Sequence, residues 1–390
     1  MNACTNDARL AWMALILSPG MGAIRSWRTM QRLGDAASLL TLPLTELEGL
    51  GLPAAAAQFV ADGRALAAAE DEARKAEEAG VAFLTPEDEA YPERLRQIYD
   101  PPAVLWLRGD PAILNLPGIA VVGTRHPSTY GQGIAELLAR DLAARGLVIQ
   151  SGMARGIDTA AHKGALTAGG KTVAVWGTGV DVIYPKENKR LAEEILLKGG
   201  AIVSEFPLGT FPAPQNFPVR NRIISGMSVG VLVVEAGEYS GTRVTARCAL
   251  EQGRDIYAVP GNVTNKNAWG PNTLIKQGAR LTATWEDIWE DLPSDVRAQL
   301  TAGDESSPGG TASLFPENTA NGEGRLAGMG EQERQVLGAL AMDSAVQLDE
   351  LIEKLEGSMG PAEIFAALFE LELAGLVRQL PGKNYVRVMV

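Results

Sequence analysis

Short apolar runs alternate with helical stretches through the middle of this 390-residue chain, and few folds accommodate such an alternation. The runs occupy residues 119–123, 147–152, 172–177, 201–205, 229–236 and 255–261. They are rich in Val, Ile and Ala on both faces, as strands are when helices cover both sides of a parallel sheet. The pattern predicts a doubly wound, Rossmann-like α/β domain.

The segments around this pattern predict a multidomain α/β protein. Residues 1–80 are expected to form a small all-α module, because glycine-rich turns at 18–22 and 47–53 separate apolar helices. The spacing resembles a helix-hairpin-helix or sterile-alpha-motif domain, and a helical packing module without a ligand remains an open alternative. Residues 81–295 are expected to form the extended Rossmann-like domain.

The carboxyl-terminal third is predicted to contain a linker and a second small domain. Residues 296–328 are rich in Gly, Ser, Thr and Pro and indicate a flexible linker. Residues 329–390 show three helices followed by two strands, an order that resembles a winged helix. The predicted third helix, 361–374, has no Lys or Arg and carries Glu363, Glu370 and Glu372. This acidity favours a protein-binding or packing role over insertion into a DNA groove.

Charge is distributed unevenly along the chain. The net charge is −12, yet residues 116–285 hold 18 Lys and Arg against 12 Asp and Glu. A basic middle domain between acidic ends is compatible with a polyanionic ligand held by that domain.

Composition excludes several other classes. The sequence has no apolar run long enough to span a membrane and no basic region before its first apolar stretch, so neither membrane insertion nor a signal peptide is predicted. Its two cysteines and two histidines indicate neither a disulfide framework nor a metal site. We therefore expect a protein of the reducing cytoplasm.

Small and cationic residues follow the predicted strands, where doubly wound sheets bind ligands. Gly123, Thr124 and Arg125 end the first strand, and Arg155 follows the second, close to Asp158. A salt bridge between Arg155 and Asp158 is the structural alternative to a ligand contact for this arginine.

The connection between the fourth and fifth strands combines arginines with aromatic residues. Arg220, Asn221 and Arg222 lie at a predicted helix start, where N–H groups and guanidinium groups could bind one anion. The same connection holds three phenylalanines, Phe206, Phe211 and Phe217, of which we expect Phe217 to be exposed. Arginines beside aromatic rings are typical of surfaces that bind single-stranded nucleic acid.

The turn after the fifth strand contains Ser240, Gly241 and Thr242, with Arg243 behind it. A glycine at a helix amino terminus lets backbone N–H groups approach a phosphate, although such turns also occur as ordinary caps.

No dinucleotide fingerprint is present. The nearest string, GTGVDV at 177–182, has Val182 in place of the third glycine. NAD binding is therefore disfavoured, and no cofactor is predicted.

The motifs between residues 91 and 285 together resemble the DNA-processing protein A family, the single-stranded-DNA-binding proteins of natural transformation. They are YPERL, PPAVLWLRG, VVGTRHPSTYG, SGMARGIDTAAHKGAL, GTGVDVIYP, VSEFPLGT, FPVRNRIISG, VVEAGEYSGTRVTA, AVPGNV and GPNTLIKQGA. The resemblance implies a homodimer that grips and protects incoming single strands and helps the RecA recombinase replace single-strand-binding protein.

The same resemblance implies roles for individual residues. Arg125, the 240–242 turn and either Arg220 or Arg222 would contact phosphates, and Phe217 would stack on a base.

A rival resemblance is to phosphoribohydrolases that carry the motif Pro-Gly-Gly-x-Gly-Thr-x-x-Glu. Here Gly241-Thr242 matches its Gly-Thr, but Thr245 stands where the glutamate is required. Without that carboxylate the transition state lacks a stabilising group, so we predict a binding protein rather than an enzyme.

Overall fold

The computed structural model describes residues 3–304, 329–341 and 344–388, with side chains described from residue 7 to residue 301 and in the two later ranges. A nine-stranded sheet forms its centre, in the order β1-β2-β6-β5-β4-β3-β7-β8-β9. The strands are β1 Ala82–Leu84, β2 Leu105–Gly109, β3 Gly118–Val122, β4 Val148–Ser151, β5 Thr172–Val175, β6 Ala201–Ser204, β7 Gly230–Val233, β8 Asp255–Ala258 and β9 Arg280–Leu281. Strands β3 to β9 pair in parallel, whereas β1 and β2 extend one edge antiparallel. All six predicted strands are confirmed.

Helices cover both faces of this sheet. Those up to residue 304 are α1 Ala3–Ile16, α2 Ala23–Leu33, α3 Leu44–Gly49, α4 Ala54–Ala61, α5 Arg64–Glu78, α6 Glu93–Arg96, α7 Thr129–Ala143, α8 Ile157–Thr167, α9 Lys189–Leu197, α10 Asn216–Met227, α11 Thr242–Glu251, α12 Trp269–Lys276, α13 Glu286–Trp289 and α14 Ser294–Asp304. Alternation along β3 sends Ile119 and Val121 to the face covered by α7 and α8, and Ala120 and Val122 to the face covered by α10 and α11. Burial on both faces explains why the central strands are mostly apolar, and their few polar side chains, such as Gln150, Ser151 and Thr172, are buried.

The direction of winding reverses between β3 and β7, because β4 to β6 lie on one side of β3 and β7 to β9 on the other. Loops at the carboxyl ends of the strands diverge at such a reversal and leave a crevice. The predicted doubly wound fold is therefore confirmed, and its ligand-binding edge carries the loops after β3, β4, β5 and β7.

The amino-terminal helices share a core with the sheet domain. Buried residues of α1, such as Trp12 and Leu15, belong to the same apolar cluster as Trp106 on β2 and Ile202 on β6. The carboxylate of Glu72 on α5 also accepts a hydrogen bond of 2.8 Å from the backbone N–H of Leu208. The all-α module predicted over 1–80 is thus a helical layer packed on the sheet domain.

One predicted boundary is wrong. The linker was expected to begin at residue 296, but helix α14 covers Ser294–Asp304. Val296 is buried and Leu300 is half-buried against the core beside α7 and α8, which explains why a stretch of polar composition is helical here. The remainder of the predicted linker, 305–328, lies outside the described residues.

The carboxyl-terminal domain has the predicted winged-helix architecture. Its elements are α15 Glu331–Ala339, β10 Val346–Gln347, α16 Leu348–Lys354, α17 Pro361–Leu373, β11 Val377–Leu380 and β12 Asn384–Arg387. The third helix, α17, leaves Phe365, Phe369 and Leu373 exposed at a spacing of four residues. An apolar and acidic surface of this kind suits a protein contact better than a phosphate backbone.

Within the described residues, no helix combines the length and the apolar character needed to cross a lipid bilayer.

Candidate functional site

A pocket of about 190 Å³ opens at the carboxyl ends of β3, β4 and β5. We call it the arginine–aromatic pocket. Its lining residues are Arg125, His126, Gly152, Ala154, Arg155, Trp176, Gly177, Thr178, Tyr184, Pro185, Phe217 and Arg220. Three of the lining residues are arginines and three are aromatic, so the pocket joins positive charge to flat apolar surface.

Two neighbouring rings, tilted with respect to each other, form much of the aromatic part of the pocket. The ring centroids of Phe217 and Tyr184 lie 5.4 Å apart at an interplanar angle of 35°. A Cβ atom at Gly177 would lie only 2.9 Å from Cδ1 of Phe217, so the glycine at the end of β5 makes room for the ring. Phe217 is half-buried, which leaves part of its ring available to a ligand.

Arg220 forms the buried wall of the pocket. Its Nη1 donates to the backbone oxygens of Gly152, at 2.7 Å, and of Val175. A Cβ atom at Gly152 would lie 2.5 Å from this nitrogen, so here too a glycine at a strand end makes room for a functional side chain. Burial lowers the pKa of Arg220 to about 10, against the opposing effect of Asp158, and the side chain stays protonated at neutral pH. Its buried Nε–H has no partner among the described residues.

Arg125 is an exposed cation of the pocket. Its guanidinium carbon lies 5.7 Å from the centroid of the Phe217 ring. No carboxylate of the described residues lies within 4.0 Å of it, whereas Arg155 on the same rim is paired with Glu187. The guanidinium of Arg125 is therefore available to an anion next to the aromatic surface.

The alternative considered for Arg155, a salt bridge with Asp158, is not formed, and Arg155 pairs with Glu187. Asp158 is buried and accepts hydrogen bonds from the backbone N–H groups of Gly152, at 3.1 Å, and Ala154, at 3.2 Å. Burial raises the pKa of this carboxyl, and the positive charge of Arg220 opposes the shift. Asp158 thus shapes the loop after β4 and compensates part of the charge of Arg220.

The amino terminus of α7, where Rossmann-like proteins often bind phosphate, is occupied by the protein itself. Glu235, at the end of β7, accepts hydrogen bonds from the N–H and the hydroxyl of Ser128, at 2.8 and 2.6 Å. A Cβ atom at Gly131 would lie 2.3 Å from the carboxyl carbon of Glu235, so the glycine allows the carboxylate to approach the first helical turn. A ligand anion is excluded from this position by the carboxylate that fills it.

The turn after β3 has little capacity left for an anion. Gly123 packs against Ile157, and the Thr124 N–H donates to the backbone oxygen of Glu235 at 2.7 Å. Of the three residues predicted here, Arg125 alone lines the pocket.

The turn at 240–242 caps its own helix. The hydroxyl of Ser240 accepts from the Thr242 N–H at 3.2 Å, and the N–H of Arg243 donates to the backbone oxygen of Ser240 at 3.1 Å. Gly241 is the N-cap residue of α11. Arg243 lies outside the pocket, with its Nη1 on the backbone oxygen of Glu238 at 2.9 Å and its guanidinium 5.6 Å from the ring of Trp269.

Helix α10 begins at Asn216, so the predicted helix start at Arg220 is wrong. Pro218 lies within the first turn, where a missing N–H costs nothing, and the helix therefore starts before the proline instead of after it. Arg220, Asn221 and Arg222 consequently occupy the second turn, and their backbone N–H groups are not free for an anion.

Arg220 and Arg222 do not converge, because residues two apart on a helix face different directions. Arg222 is buried away from the pocket and donates to both carboxylate oxygens of Glu205, at 2.6 and 2.7 Å, and to Asp100 at 2.9 Å. Its donors hold α10 to the neighbouring loops. Asn221 is half-buried and does not line the pocket.

The expected exposure of the phenylalanines is also wrong. Phe211 is 77% exposed, whereas Phe217 is half-buried beneath Tyr184 and Arg125. Sequence reasoning missed Tyr184 and Trp176 as lining residues. Both belong to the segment 176–185, whose glycines and aromatics at a strand end were a usable signal.

Comparison with known proteins identifies close relatives. The family model described as "DNA recombination-mediator protein A" matches residues 82–293, and the model "DprA winged helix domain" matches residues 325–383. Protein Smf of Escherichia coli is 44% identical over 310 residues, which cover 78% of this chain and 77% of that protein. The DNA processing protein DprA of Bacillus subtilis is 44% identical over 217 residues, or 55% of this chain and 73% of that one.

The solved structures give the same result. The X-ray structure of DNA processing protein A from Streptococcus pneumoniae superposes with a TM-score of 0.64 at 33% sequence identity. The match covers 75% of this chain and 99% of that chain.

Proposed function

Because this chain belongs to the DNA recombination-mediator protein A family, we propose that its arginine–aromatic pocket binds single-stranded DNA. One base would stack on the exposed part of Phe217, and the adjoining phosphate would pair with Arg125. Duplex DNA presents its bases edge-on and stacked, so an accessible ring selects strands whose bases are free.

The observation that carries this proposal is the position of the Arg125 guanidinium, 5.7 Å from the ring of Phe217 and without a carboxylate partner among the described residues. A cation without a carboxylate partner beside a stacking ring can bind one nucleotide. The cation attracts the phosphate, and the ring stacks on the base whatever its identity. Arg220 adds a positive wall behind the ring.

Binding is expected to be salt-sensitive and tolerant of sequence. If three to five phosphates are neutralised in total, the logarithm of the association constant falls with the logarithm of salt concentration at a slope of about −2 to −4, using roughly −0.7 per phosphate. Labelled single-stranded and duplex oligonucleotides of several sequences, titrated at two or more salt concentrations, measure this slope. A flat salt response, or a strong preference for one base sequence, would contradict the proposal.

The family description as a recombination mediator supports a proposal for the role of the bound strand. We propose that the protein protects incoming single strands in natural transformation and helps RecA to replace single-strand-binding protein on them, in the cytoplasm. The test is strand exchange by RecA on DNA coated with single-strand-binding protein, with and without this chain. Exchange that is no faster with the chain present would argue against the mediator role while leaving DNA binding intact.

The rival function is hydrolysis of a nucleoside monophosphate at the same edge of the sheet. Thr245, which stands where the related hydrolases require glutamate, is buried within α11 and has no carboxylate to stabilise an oxocarbenium-like transition state. We therefore propose a binder without turnover. Release of ribose phosphate from adenosine monophosphate should stay at buffer background, and turnover abolished by Arg125→Ala would favour the enzyme.

We also propose that the protein is a homodimer. Six large apolar side chains between residues 239 and 281 are exposed, namely Tyr239, Val244, Leu250, Val263, Trp269 and Leu281. Exposed apolar residues that form one contiguous patch mark a surface that another protein covers. Sedimentation equilibrium should give twice the chain mass, and Leu250→Glu should shift the equilibrium toward the monomer.

A further inference from the structure

Helix α2, in the amino-terminal helical layer, presents a row of arginines to solvent. Arg25, Arg28 and Arg32 are exposed, whereas Ser26, Thr29 and Met30 on the opposite side of the helix are buried. We call these three arginines the α2 stripe. The positions i, i+3 and i+7 place all three on one face of the helix.

The stripe is not neutralised. Twelve arginines and lysines of the described residues form ion pairs, but no carboxylate of these residues lies within 4.0 Å of any guanidinium of the stripe. Two nearby acids are engaged elsewhere: Asp35 caps the turn at Ala37, and Asp100 pairs with Arg222. The stripe therefore places three positive charges without a carboxylate partner on one face of a helix, in a chain whose net charge is −12.

The protein orients these arginines. Arg25 donates to the backbone oxygen of Gly20 at 2.6 Å, and Arg32 donates to that of Leu50 at 2.9 Å. A Cβ atom at Gly51 would lie 3.1 Å from Nη1 of Arg32, in a residue whose φ of +92° favours glycine. Each of the two glycine-rich turns, 18–22 and 47–53, therefore accepts a hydrogen bond from an arginine of the stripe.

An aromatic side chain lies beside the stripe. Nη2 of Arg28 lies 3.2 Å from the hydroxyl of Tyr99, which is 77% exposed although it is a large apolar residue. Guanidinium groups next to an exposed ring repeat, on another surface, the combination found in the arginine–aromatic pocket.

The spacing suits a nucleic-acid backbone. Seven residues of helix separate Arg25 from Arg32 by about 10 Å, at 1.5 Å per residue. Measured along the axis of a duplex, that distance corresponds to about three base-pair steps at 3.4 Å each. Because guanidinium groups bind phosphate oxygens in a fork, each member of the stripe can take one phosphate.

We propose that the α2 stripe is a second contact for the phosphate backbone of nucleic acid, separate from the pocket that binds the base. Contacts to phosphates carry no sequence information, so the stripe adds affinity without sequence preference. The inference stands on the arginines of α2 and does not depend on the pocket.

The experiment replaces the stripe by glutamines, Arg25→Gln with Arg28→Gln and Arg32→Gln, in the full chain. We expect the salt slope to become shallower by about 2 for single strands or about 2.7 for duplex, from about 0.7 or 0.9 per phosphate. Fluorescence anisotropy of labelled oligonucleotides at several salt concentrations measures both slopes. A change with single strands alone, or with duplex alone, identifies which backbone the stripe contacts.

A charge-matched control removes three other exposed cations, through Lys75→Gln, Lys189→Gln and Arg247→Gln, each of which is now paired with an acid one helical turn away. Both triple variants lower the net charge by the same amount, so a long-range charge effect would change both slopes alike. Equal slopes in the stripe variant and the control would overturn the inference.

Two of the stripe arginines also hold turns, so the triple variant could lose its fold. Arg28→Gln avoids this difficulty, since Arg28 donates to the Tyr99 hydroxyl and, within the described part of the chain, to no backbone atom. Its expected effect is a slope shallower by about 0.7 for single strands, and Arg28→Lys should restore the slope of the unmodified protein. An Arg28→Gln slope identical to that of the unmodified chain would overturn the inference even if the triple variant is unfolded.

Failure of this inference is distinguishable from failure of the pocket. If the unmodified protein does not bind single strands, the proposed function is wrong. If it binds them and responds to Arg125→Ala but not to the stripe variants, the pocket stands and the stripe does not.

Discussion

Arg125 differs from the other arginines of the pocket in what its charge is used for. Arg155 is paired with Glu187, and Arg220 is buried against backbone oxygens with Asp158 nearby, which leaves Arg125 free for a phosphate. Arg125→Ala should weaken single-strand binding by about 1.5 to 3 kcal/mol, the range for a hydrogen bond to a charged group. The salt slope should fall by about 0.7, since one phosphate contact is lost.

The Arg125 measurement is a salt-dependent titration with a labelled oligonucleotide. Arg247→Ala is the matched control, because it removes an arginine that is exposed and paired with Glu251. Equal effects of the two substitutions would assign the salt dependence to overall charge and not to the pocket.

Phe217 should respond differently, because stacking does not involve counterions. Phe217→Ala is expected to reduce affinity by about 1 to 3 kcal/mol and to leave the salt slope unchanged. Phe217→Trp keeps a stacking ring and should retain most of the binding. The same titrations measure both quantities, and unaltered affinity in a folded Phe217→Ala protein would place the base elsewhere.

His162 makes the stability of the fold sensitive to mild acid. The Thr172 hydroxyl donates to the backbone oxygen of Ile149 at 2.6 Å, so it accepts from Nδ1–H of His162, 2.7 Å away. Nε2 of His162 is then the unprotonated nitrogen, and it is buried without a partner among the described residues. Burial, and secondarily the charge of Arg220, lowers the pKa of His162 to about 3.

The sign of the pH dependence follows from this lowered pKa. Below pH 6.5 the unfolded chain binds a proton at His162 that the folded chain does not, so stability falls as the pH falls from 6.5 toward 3. Between pH 7 and 5 the loss should be about 2 kcal/mol, at 1.4 kcal/mol per pH unit below 6.5. Urea unfolding at the two pH values should show it, and His162→Asn should be less sensitive to pH whatever its absolute stability.

At the scale of elements, the sequence was informative where a pattern repeats and uninformative where two elements meet. The six strands were predictable because each lies in a mostly apolar run, and the winged helix because three helical stretches precede two short strands joined at Pro381-Gly382. The start of α10 was missed because Pro218 interrupts the pattern without interrupting the helix. The pairing of Arg222 with Glu205 and Asp100 joins residues 17 and 122 positions apart, which no local pattern indicates.

The pocket was partly predictable for the same reason. Arg125 could be proposed because residues at the ends of parallel strands meet at one edge of the sheet, whereas Arg220 was proposed from a helix start that the structure does not have. The stacking of Tyr184 on Phe217 depends on how two loops fold over that edge, and the sequence contains no periodicity that reports it. Gly152 and Gly177 become informative once each is seen to leave space for a functional side chain.

The element that distinguishes this sheet from a dinucleotide-binding one is the first turn of α7, where Glu235 takes the place of a phosphate. In Glu235→Gln an NH₂ group, which cannot accept a hydrogen bond, replaces one carboxylate oxygen. One of the two Ser128 donors, the N–H or the hydroxyl, would then be poorly paired. The free energy of unfolding should fall by about 1 to 3 kcal/mol. Urea unfolding measures it, and the exposed Glu238→Gln should change it little; equal stability of both variants would mean that the carboxylate does not hold α7.

At the scale of the whole molecule, the described parts divide into a sheet domain with its helical layer, which ends with α14, and a winged helix. The amino-terminal helices and the sheet share one apolar cluster, and Val296 and Leu300 of α14 belong to a second cluster with α7 and α8. The winged helix has its own buried core, formed by residues such as Leu351, Ile364 and Leu371. Separate cores predict that the winged helix can be removed without unfolding the rest.

A chain that ends at Asp304 should therefore stay folded and bind single strands with the affinity and salt slope of the full chain, because the pocket lies wholly in the sheet domain and α17 is acidic and apolar. A chain that ends at Pro293 lacks α14, exposes the surface beneath Val296, and should unfold at a lower temperature, since burying one valine contributes about 1.5 to 3 kcal/mol. Thermal unfolding of both truncations, followed by oligonucleotide titration, separates the two effects. If the chain ending at Asp304 is folded but binds weakly, the winged helix contributes to the DNA site despite its charge, and the protein contact inferred from its exposed phenylalanines is wrong.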